Sequence, residues 1–240
     1  MTKRITETNH SPNLQMMQPQ SSKAKPLLLA LFWLVVAPGY TVAQATQGPR
    51  NTVRLGVQEW MTENLEVDRF RNGDPIPRAR SAREWARAAE QGRPAWCYYD
   101  NDPGKGREFG RLYNWYAVSD PRGLAPEGWH IPSRGEWEEL AEHLGGHRSC
   151  GPEMKSESGW ACGKNGTNKS GFNGLPAGIR SHDGNFEYLG QYAYWWASDE
   201  FNELYAYYKY LYWNSKVLFP YINYYKGSGF SVRCLKNPSP

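Results

Sequence analysis

Two segments of the chain repeat apolar positions with a helical period, and a capping box precedes each of them. Residues 81–84 (SARE) form the first box and predict a helix that runs to about Gln91 and ends at Gly92. Residues 133–136 (SRGE) form the second box. The helix predicted there has one apolar face and ends at a glycine pair: Trp137, Leu140, Ala141, Leu144, Gly145 and Gly146.

The remainder of the chain favours strands and loops. Residues 53–65 (VRLGVQEWMTENL) alternate enough to predict a first strand. From Phe172 onward the pattern is typical of short strands separated by long loops. The 24 Gly and 17 Pro residues favour many turns over a helical bundle. We therefore predict an α+β domain with two helices early and an antiparallel sheet late.

The first 45 residues predict a cleaved secretory signal peptide. Basic residues precede an apolar run at 27–37, Pro38 and Gly39 break that run, and residues 43–45 (AQA) offer a cleavage site. The run is too short for a stable transmembrane helix, although an uncleaved membrane anchor is the alternative. We expect an exported protein, located in the periplasm, on the cell surface or outside the cell. Its mature part would comprise a spacer at 46–52, a domain at 53–236 and a tail at 237–240.

Removal of the leader changes the charge balance. Four of the 28 basic residues and one of the 24 acidic residues lie in the leader, which leaves a net charge of +1 on the mature chain. A nearly neutral chain does not suggest a nucleic-acid partner. Contact with a membrane would come only through an uncleaved leader.

The four cysteines predict two disulfides, because an even number in an exported chain is typical of a disulfide framework. Three pairings are possible. The short segment between Cys150 and Cys162 favours a local bridge, which leaves Cys97 to pair with Cys234. Zinc binding is the rival interpretation, but no CxxC spacing occurs and the five histidines are scattered.

Six motifs together resemble one bacterial family, the Fibrobacter succinogenes major paralogous domain. The resemblance covers nearly the whole mature chain. The motifs are residues 60–65 (WMTENL), 95–102 (AWCYYDND), 110–118 (GRLYNWYAV), 125–133 (APEGWHIPS), 171–178 (GFNGLPAG) and 229–234 (GFSVRC).

The resemblance implies a C-type-lectin-like fold, distantly related to the formylglycine-generating enzymes. In that fold two helices would pack on short antiparallel strands with long loops, and a bridge between Cys97 and Cys234 would staple the termini together. Formylglycine generation itself needs a second reactive cysteine near the C-terminus, and this chain has only Cys234 there. The family implies no settled activity, so the resemblance predicts the fold and location better than the function.

Candidate catalytic and metal-binding residues do not assemble into a recognisable site. His130 lies just before a helix start, where a structural role is favoured over catalysis. Asp100 and Asp102 could bind calcium, but the Pro-Gly that follows them is typical of a turn. We predict no metal and no cofactor, and calcium is the disfavoured exception.

The densest signal lies near the C-terminus, where 18 of the 35 aromatic residues fall between Phe186 and Phe230. Trp195 and Trp196 match a core strand of the resembled fold. The residues after them are too many to face inward together, and their Tyr, Trp and Asn composition is typical of a recognition surface. The predicted ligand-binding residues are Phe201, Asn202, Tyr205, Tyr207, Tyr212, Trp213, Asn214, Phe219, Tyr221, Asn223 and Tyr224. A core with scattered surface aromatics is the alternative.

These observations predict an exported, non-enzymatic protein that binds a glycan or a protein surface. The resembled fold is also used by proteins that retroelements diversify at Asn and Tyr codons, and the 201–225 segment resembles their variable region. One alternative is an enzyme acting on extracellular polysaccharide or peptide, with Asp183 and Glu187 as carboxylates. The other is a structural surface module without a small ligand.

Overall fold

The computed structural model describes residues 51–238, without the side chains of residues 220–222. The predicted signal peptide lies outside the described residues. Within residues 51–238, every helix is too short or too polar to cross a membrane.

Three antiparallel sheets carry the described part of the chain. The first has the strand order β1-β2-β12-β5, the second β3-β4-β11-β6-β7, and the third β10-β9-β8. In chain order the strands are β1 (Thr52–Leu55), β2 (Gln58–Met61), β3 (Trp96–Cys97), β4 (Leu112–Asn114), β5 (Trp129–His130), β6 (Ile179–Arg180), β7 (Phe186–Glu187), β8 (Tyr192–Glu200), β9 (Tyr205–Tyr212), β10 (Leu218–Tyr225), β11 (Gly229–Phe230) and β12 (Leu235–Lys236).

The helices are short and connect these strands. The longest spans ten residues. They are α1 (Ala82–Glu90), α2 (Pro103–Phe109), α3 (Trp115–Val118), α4 (Arg134–His143) and α5 (Gly151–Met154), with single 3₁₀ turns at Tyr99–Asn101 and Ala161–Gly163.

The predicted helix starts are confirmed at both capping boxes. The Ser81 hydroxyl accepts a hydrogen bond from the amide of Glu84 at the start of α1, and α4 begins with a complete box between Ser133 and Glu136. The single strand predicted at 53–65 is wrong. Gly56 adopts a φ of +63°, which turns the chain back and makes β1 and β2 a hairpin with Val53 opposite Trp60.

The predicted α+β, C-type-lectin-like architecture is wrong for the described residues. Antiparallel sheets dominate, and two packed helices do not form a layer of their own. The longest strands, β8 to β10, lie where short strands and long loops were expected. Tyr and Trp alternate there with a period of two, which matches a strand and places successive rings on opposite faces of a sheet.

The two faces of the sheet formed by β8, β9 and β10 pack into different parts of the core. On one face, Trp196 stacks on Phe230 with ring centroids 4.2 Å apart. On the other face, Trp195 packs edge-on against Phe172 and tilted against Trp137. Trp195 and Trp196 therefore anchor the sheet on both sides, because adjacent residues of a strand point to opposite faces.

A buried guanidinium, that of Arg233, joins distant parts of the chain. It donates hydrogen bonds to the side-chain oxygen of Asn64 (2.9 Å) and to the carbonyls of Met61 (3.1 Å) and Phe172. The indole N–H of Trp195 donates to the same Asn64 oxygen (2.9 Å). Complete burial lowers the pKa of Arg233 to about 9.

The predicted disulfides are wrong, because all four cysteines have free thiols. Cys97 and Cys234 are buried in separate clusters of core residues. Cys150 is buried, whereas Cys162 is exposed in a 3₁₀ turn. Burial raises the pKa of Cys97 to about 11 and that of Cys234 to about 12, so neither thiol is reactive at neutral pH.

Replacement of Arg233 by Met should destabilise the domain by about 3 kcal/mol or more, since several buried acceptors would lose their donor. Urea unfolding monitored by tryptophan fluorescence measures this. Arg83 on α1 is exposed, so Arg83→Met should shift the free energy of unfolding by about 0.5 kcal/mol or less. Equal unfolding midpoints for the two variants would refute the role of Arg233.

The free thiols predict a simple titration result. In the native protein without reductant, only Cys162 should react quickly with a thiol reagent such as DTNB, because the other three thiols are buried. After unfolding in guanidinium, all four should react. A count of two or fewer reactive thiols in the unfolded, unreduced protein would mean that a disulfide forms after all.

Candidate ligand-binding face

Strand alternation places a set of tyrosines on one face of the sheet formed by β8, β9 and β10. Tyr192 lies opposite Tyr212, Tyr194 lies opposite Tyr210, and Tyr210 also lies opposite Phe219. We call this set the tyrosine face: Tyr192, Tyr194, Tyr208, Tyr210, Tyr212, Phe219 and Tyr224.

The rings of the tyrosine face stack on one another across the strands. Tyr210 and Phe219 are almost parallel with centroids 4.4 Å apart, and Tyr192 stacks on Tyr212 at 4.5 Å. Rings that stack in this way stand on the sheet, so their outer edges and hydroxyl groups point away from the backbone. The stacking also restricts each ring, which makes the surface rigid before any ligand arrives.

The exposure of this face is graded along the strands. Tyr194 and Tyr208 pack against Phe230 and are only 8% and 5% exposed. Toward the other end, Tyr192, Tyr210 and Tyr212 are half-buried. The same row of residues therefore anchors the sheet at one end and presents ring edges to solvent at the other.

The hydroxyls of these tyrosines are available for a ligand. Among the described residues, none of the hydroxyls on the tyrosine face makes a hydrogen bond with another protein group. Burial, and then the neighbouring tyrosines, raise the pKa of Tyr194 and Tyr208. These two hydroxyls therefore stay protonated at neutral pH, and each can donate and accept a hydrogen bond.

Tyr188 extends the tyrosine face at its edge. Its ring lies 5.2 Å from that of Tyr192, and 42% of the residue is exposed. Its backbone adopts a φ of +64°, which is unusual for an aromatic residue and costs about 1 kcal/mol or more. The surrounding turn thus holds an exposed ring in place at a cost in stability.

Lys155 fixes the connection between β9 and β10. Its ammonium donates hydrogen bonds to the carbonyls of Tyr212 (2.7 Å), Trp213 (3.1 Å) and Ser215 (2.8 Å). Burial lowers the pKa of Lys155 to about 8. These bonds hold the half-exposed end of the tyrosine face, including Tyr212, in a defined position.

The predicted binding residues divide among several places. Tyr212, Phe219 and Tyr224 lie on the tyrosine face, whereas Tyr207 and Asn223 lie on the opposite face. Five others lie at the two ends of the sheet: Phe201, Asn202 and Tyr205 near the β8–β9 connection, and Trp213 and Asn214 after β9. The side chain of Tyr221 lies outside the described residues.

Five tyrosines of the site were missing from the prediction: Tyr188, Tyr192, Tyr194, Tyr208 and Tyr210. A period-two pattern, Tyr192-x-Tyr194-x-Trp196 and Tyr208-x-Tyr210-x-Tyr212, could have identified four of them. The expectation of long loops hid that pattern. Tyr188 has no comparable signal, because its exposure depends on the conformation of one turn.

The candidate catalytic and metal-binding residues have structural contacts. His130 bridges the carboxylate of Glu136 (2.7 Å) and the side-chain oxygen of Asn237 (2.8 Å), and so connects α4 to the C-terminal segment. Asp102 caps α2 by accepting from the amide of Gly104 (2.7 Å). In residues 51–238, no three His, Cys, Asp or Glu side chains cluster in a way that could hold a metal ion.

The family model of the Fibrobacter succinogenes major domain matches this chain from residue 53 to residue 236. The chain belongs to that family, which confirms the resemblance carried by the six sequence motifs. No curated protein and no solved structure was found to match it. Family membership identifies the domain but leaves the ligand to be inferred from the site.

The bridge made by His130 predicts a pH-dependent stability. The hydrogen bond with Glu136, followed by that with Asn237, raises the pKa of His130 although burial opposes this. Because the pKa of His130 is higher in the folded than in the unfolded state, protonated His130 stabilises the fold. This stabilisation is fully present at pH values below the unfolded-state pKa of about 6.5, and it is lost as the pH rises through the folded-state pKa.

We therefore expect the difference in melting temperature between the native protein and His130→Gln to be larger at pH 5.5 than at pH 8.5. Differential scanning calorimetry at both pH values measures it. At pH 5.5 Glu136 remains ionised: burial raises its pKa, but the hydrogen bonds with His130 and Ser133 together outweigh burial and leave the pKa below its usual value. His182→Gln is the control, since His182 is exposed. A difference that grows with pH would contradict the bridge.

Proposed function

We propose that this chain is an exported binding protein whose tyrosine face recognises a glycan. The observation that supports the proposal most is the row of stacked tyrosines with hydroxyls that no described protein group engages. A glycan matches such a surface because it offers many hydroxyl donors and acceptors together with apolar C–H patches.

The geometry of the face suits a ligand longer than one sugar. The hydroxyls of Tyr192, Tyr194, Tyr210 and Tyr212 belong to facing residues on two neighbouring strands, so they form a two-by-two array. Facing strands are about 4.8 Å apart, and alternate residues in a strand lie about 7 Å apart. An array with these spacings spans more than one sugar ring, so we propose that an oligosaccharide lies across the strands.

The proposed export rests on the leader pattern in residues 1–45, which lie outside the described residues. Export would bring the tyrosine face into contact with extracellular or cell-wall polysaccharide. The near-neutral charge of the mature chain is consistent with a ligand that is bound by hydrogen bonds and ring contacts, rather than by a strong overall field.

A protein surface is the second candidate ligand, and one observation favours it. Phe201 and Leu204, in the connection between β8 and β9, are 48% and 54% exposed, and Tyr205 beside them is also exposed. Apolar side chains grouped at a hairpin end are typical of contacts with another protein. This tip lies beyond the opposite end of β8 from Tyr192, so the two candidates involve different residues.

Removal of single hydroxyls tests the glycan proposal. Tyr210→Phe and Tyr192→Phe should each weaken glycan binding by about 1 kcal/mol, roughly fivefold, because each removes one hydrogen-bonding group and leaves the ring in place. The melting temperature should hardly change. A glycan array with the mature domain identifies the ligand, and isothermal titration calorimetry measures the affinities.

Tyr207→Phe is the matched control, because Tyr207 lies in the same strand but on the opposite face, where its ring packs under Arg134. It should bind as the native protein does. If Tyr207→Phe weakened binding while Tyr210→Phe did not, the ligand would lie on the opposite face. If Phe201→Ser abolished binding to the array hit, the hairpin tip would be the site.

A further inference from the structure

The positive charge of the predicted mature chain is concentrated in one short segment. Residues 78–93 contain five arginines and two glutamates, a net charge of +3, whereas the whole mature chain has a net charge of +1. The rest of the mature chain is therefore net negative. Four of these arginines are exposed, and we call them the arginine surface: Arg80, Arg83, Arg87 and Arg93. Such a local field attracts anions although the chain as a whole is nearly neutral.

Helix α1 holds part of the arginine surface in a fixed position. Trp85 and Ala89 are buried and attach one side of the helix to the core. The opposite side faces solvent, and Arg83 and Arg87 lie there about one turn apart. An open groove runs along this side of the helix and is lined by Arg83, Ala86, Arg87, Glu90 and Gln91.

The arginine surface lacks compensating charge in the part of the chain that the structure describes. None of its four guanidinium groups forms an ion pair there. Elsewhere in the domain, Arg71, Arg111 and Arg122 each pair with a carboxylate. The carboxylate of Glu84 is engaged at the start of α1, where it accepts a hydrogen bond from the backbone amide of Arg80 (2.6 Å).

Helix stability does not account for these arginines. Arg83 lies in the first turn of α1, where the partial positive charge of a helix N-terminus disfavours a cation. Arg83 and Arg87 are four residues apart, a spacing at which like charges repel each other. A glutamate at position 83 would remove both penalties. Glu90 follows on the same side of the helix, but among the described residues it forms no ion pair. An anion bound between Arg83 and Arg87 would replace their repulsion by attraction.

The composition of the groove indicates which anion it suits. A guanidinium group binds a carboxylate through two parallel hydrogen bonds. The large apolar side chains that are exposed in residues 51–238 do not line the groove. The groove therefore offers no anchor for an acyl chain or for the apolar side chains of a peptide. A polymer that carries a charge on each unit and binds through hydrogen bonds alone fits this surface best.

We propose that the arginine surface binds an acidic polysaccharide, whose uronate carboxylates pair with Arg83 and Arg87. The groove shares no residue with the tyrosine face, so this inference is independent of the ligand proposed for that face. Export, which the leader pattern predicts, would bring the arginine surface into contact with extracellular polysaccharide.

Two oligosaccharides that differ in charge test the inference: a hexamer of α-1,4-linked galacturonic acid and its fully methyl-esterified counterpart. Titration calorimetry with the mature chain at pH 7 and low salt gives both affinities. We expect the acid to bind about tenfold more tightly than the ester, and its affinity should fall at about 0.15 M salt because salt screens exposed charges. The double variant Arg83→Gln/Arg87→Gln should remove most of the preference for the acid.

The double variant Arg107→Gln/Arg148→Gln is the matched control, because both arginines are exposed and lie outside the groove. It has the same net charge as the groove variant and should retain the preference for the acid. Melting curves show whether both variants fold. An equal loss of affinity in the two double variants would mean that net charge attracts the polymer, and the local site would be wrong.

Further outcomes identify the partner. Equal binding of acid and ester would show that the carboxylates are not recognised, which overturns the inference. If vesicles of phosphatidylglycerol, or a DNA duplex, bind as tightly as the acid hexamer, the surface recognises charge alone and the polysaccharide assignment is wrong. If Tyr210→Phe weakens binding of the acid hexamer as much as the groove variant does, the ligand lies on the tyrosine face instead.

Discussion

The structure depends on the hydrogen bonds between Arg233, Asn64 and Trp195. The guanidinium of Arg233 is fully buried, and its acceptors are neutral oxygens rather than a carboxylate. Because a buried cation is costly, such an arrangement persists only if the surrounding groups are held in place around it. The acceptors come from the end of the first hairpin, from Asn64 just after it and from the 172–173 segment, so these parts of the chain must assemble together.

The position of the candidate site follows from this arrangement. The Asn64 oxygen that accepts from Arg233 also accepts from the indole of Trp195. Trp195 lies in β8, and its neighbours Tyr194 and Trp196 point to the other side of the sheet. The orientation of Trp195 therefore determines which residues of β8 belong to the tyrosine face. The strand register then determines which residues of β9 and β10 join them. The candidate face and the core packing of Trp195 therefore use alternate residues of the same strands.

The predictable parts of the fold were those determined by local chemistry. Ser81 and Ser133 mark helix starts because a capping hydroxyl acts within three residues of itself. The aromatic segment was expected to form short strands and long loops, whereas its spacing, Tyr208-x-Tyr210-x-Tyr212, indicates a strand with one face exposed in part. The cysteines were misjudged because an even count says nothing about distance. Cys97 and Cys234 pack in different clusters, which only the three-dimensional arrangement reveals.

The stacked tyrosines also explain why a surface so rich in aromatics can be stable without being a core. Each ring covers its neighbours and keeps only an edge in water, so most of the apolar area is buried although the hydroxyls remain solvated. A ligand that binds to these edges need not order flexible side chains, and little conformational entropy is lost on binding. Tyr188 differs from the other rings of the tyrosine face. Its ring is exposed and its backbone is strained, and stability alone would favour glycine at that position. Two contacts offset part of that cost: the ring packs against Tyr192 at 5.2 Å, and the hydroxyl forms a hydrogen bond with the carboxylate of Glu187.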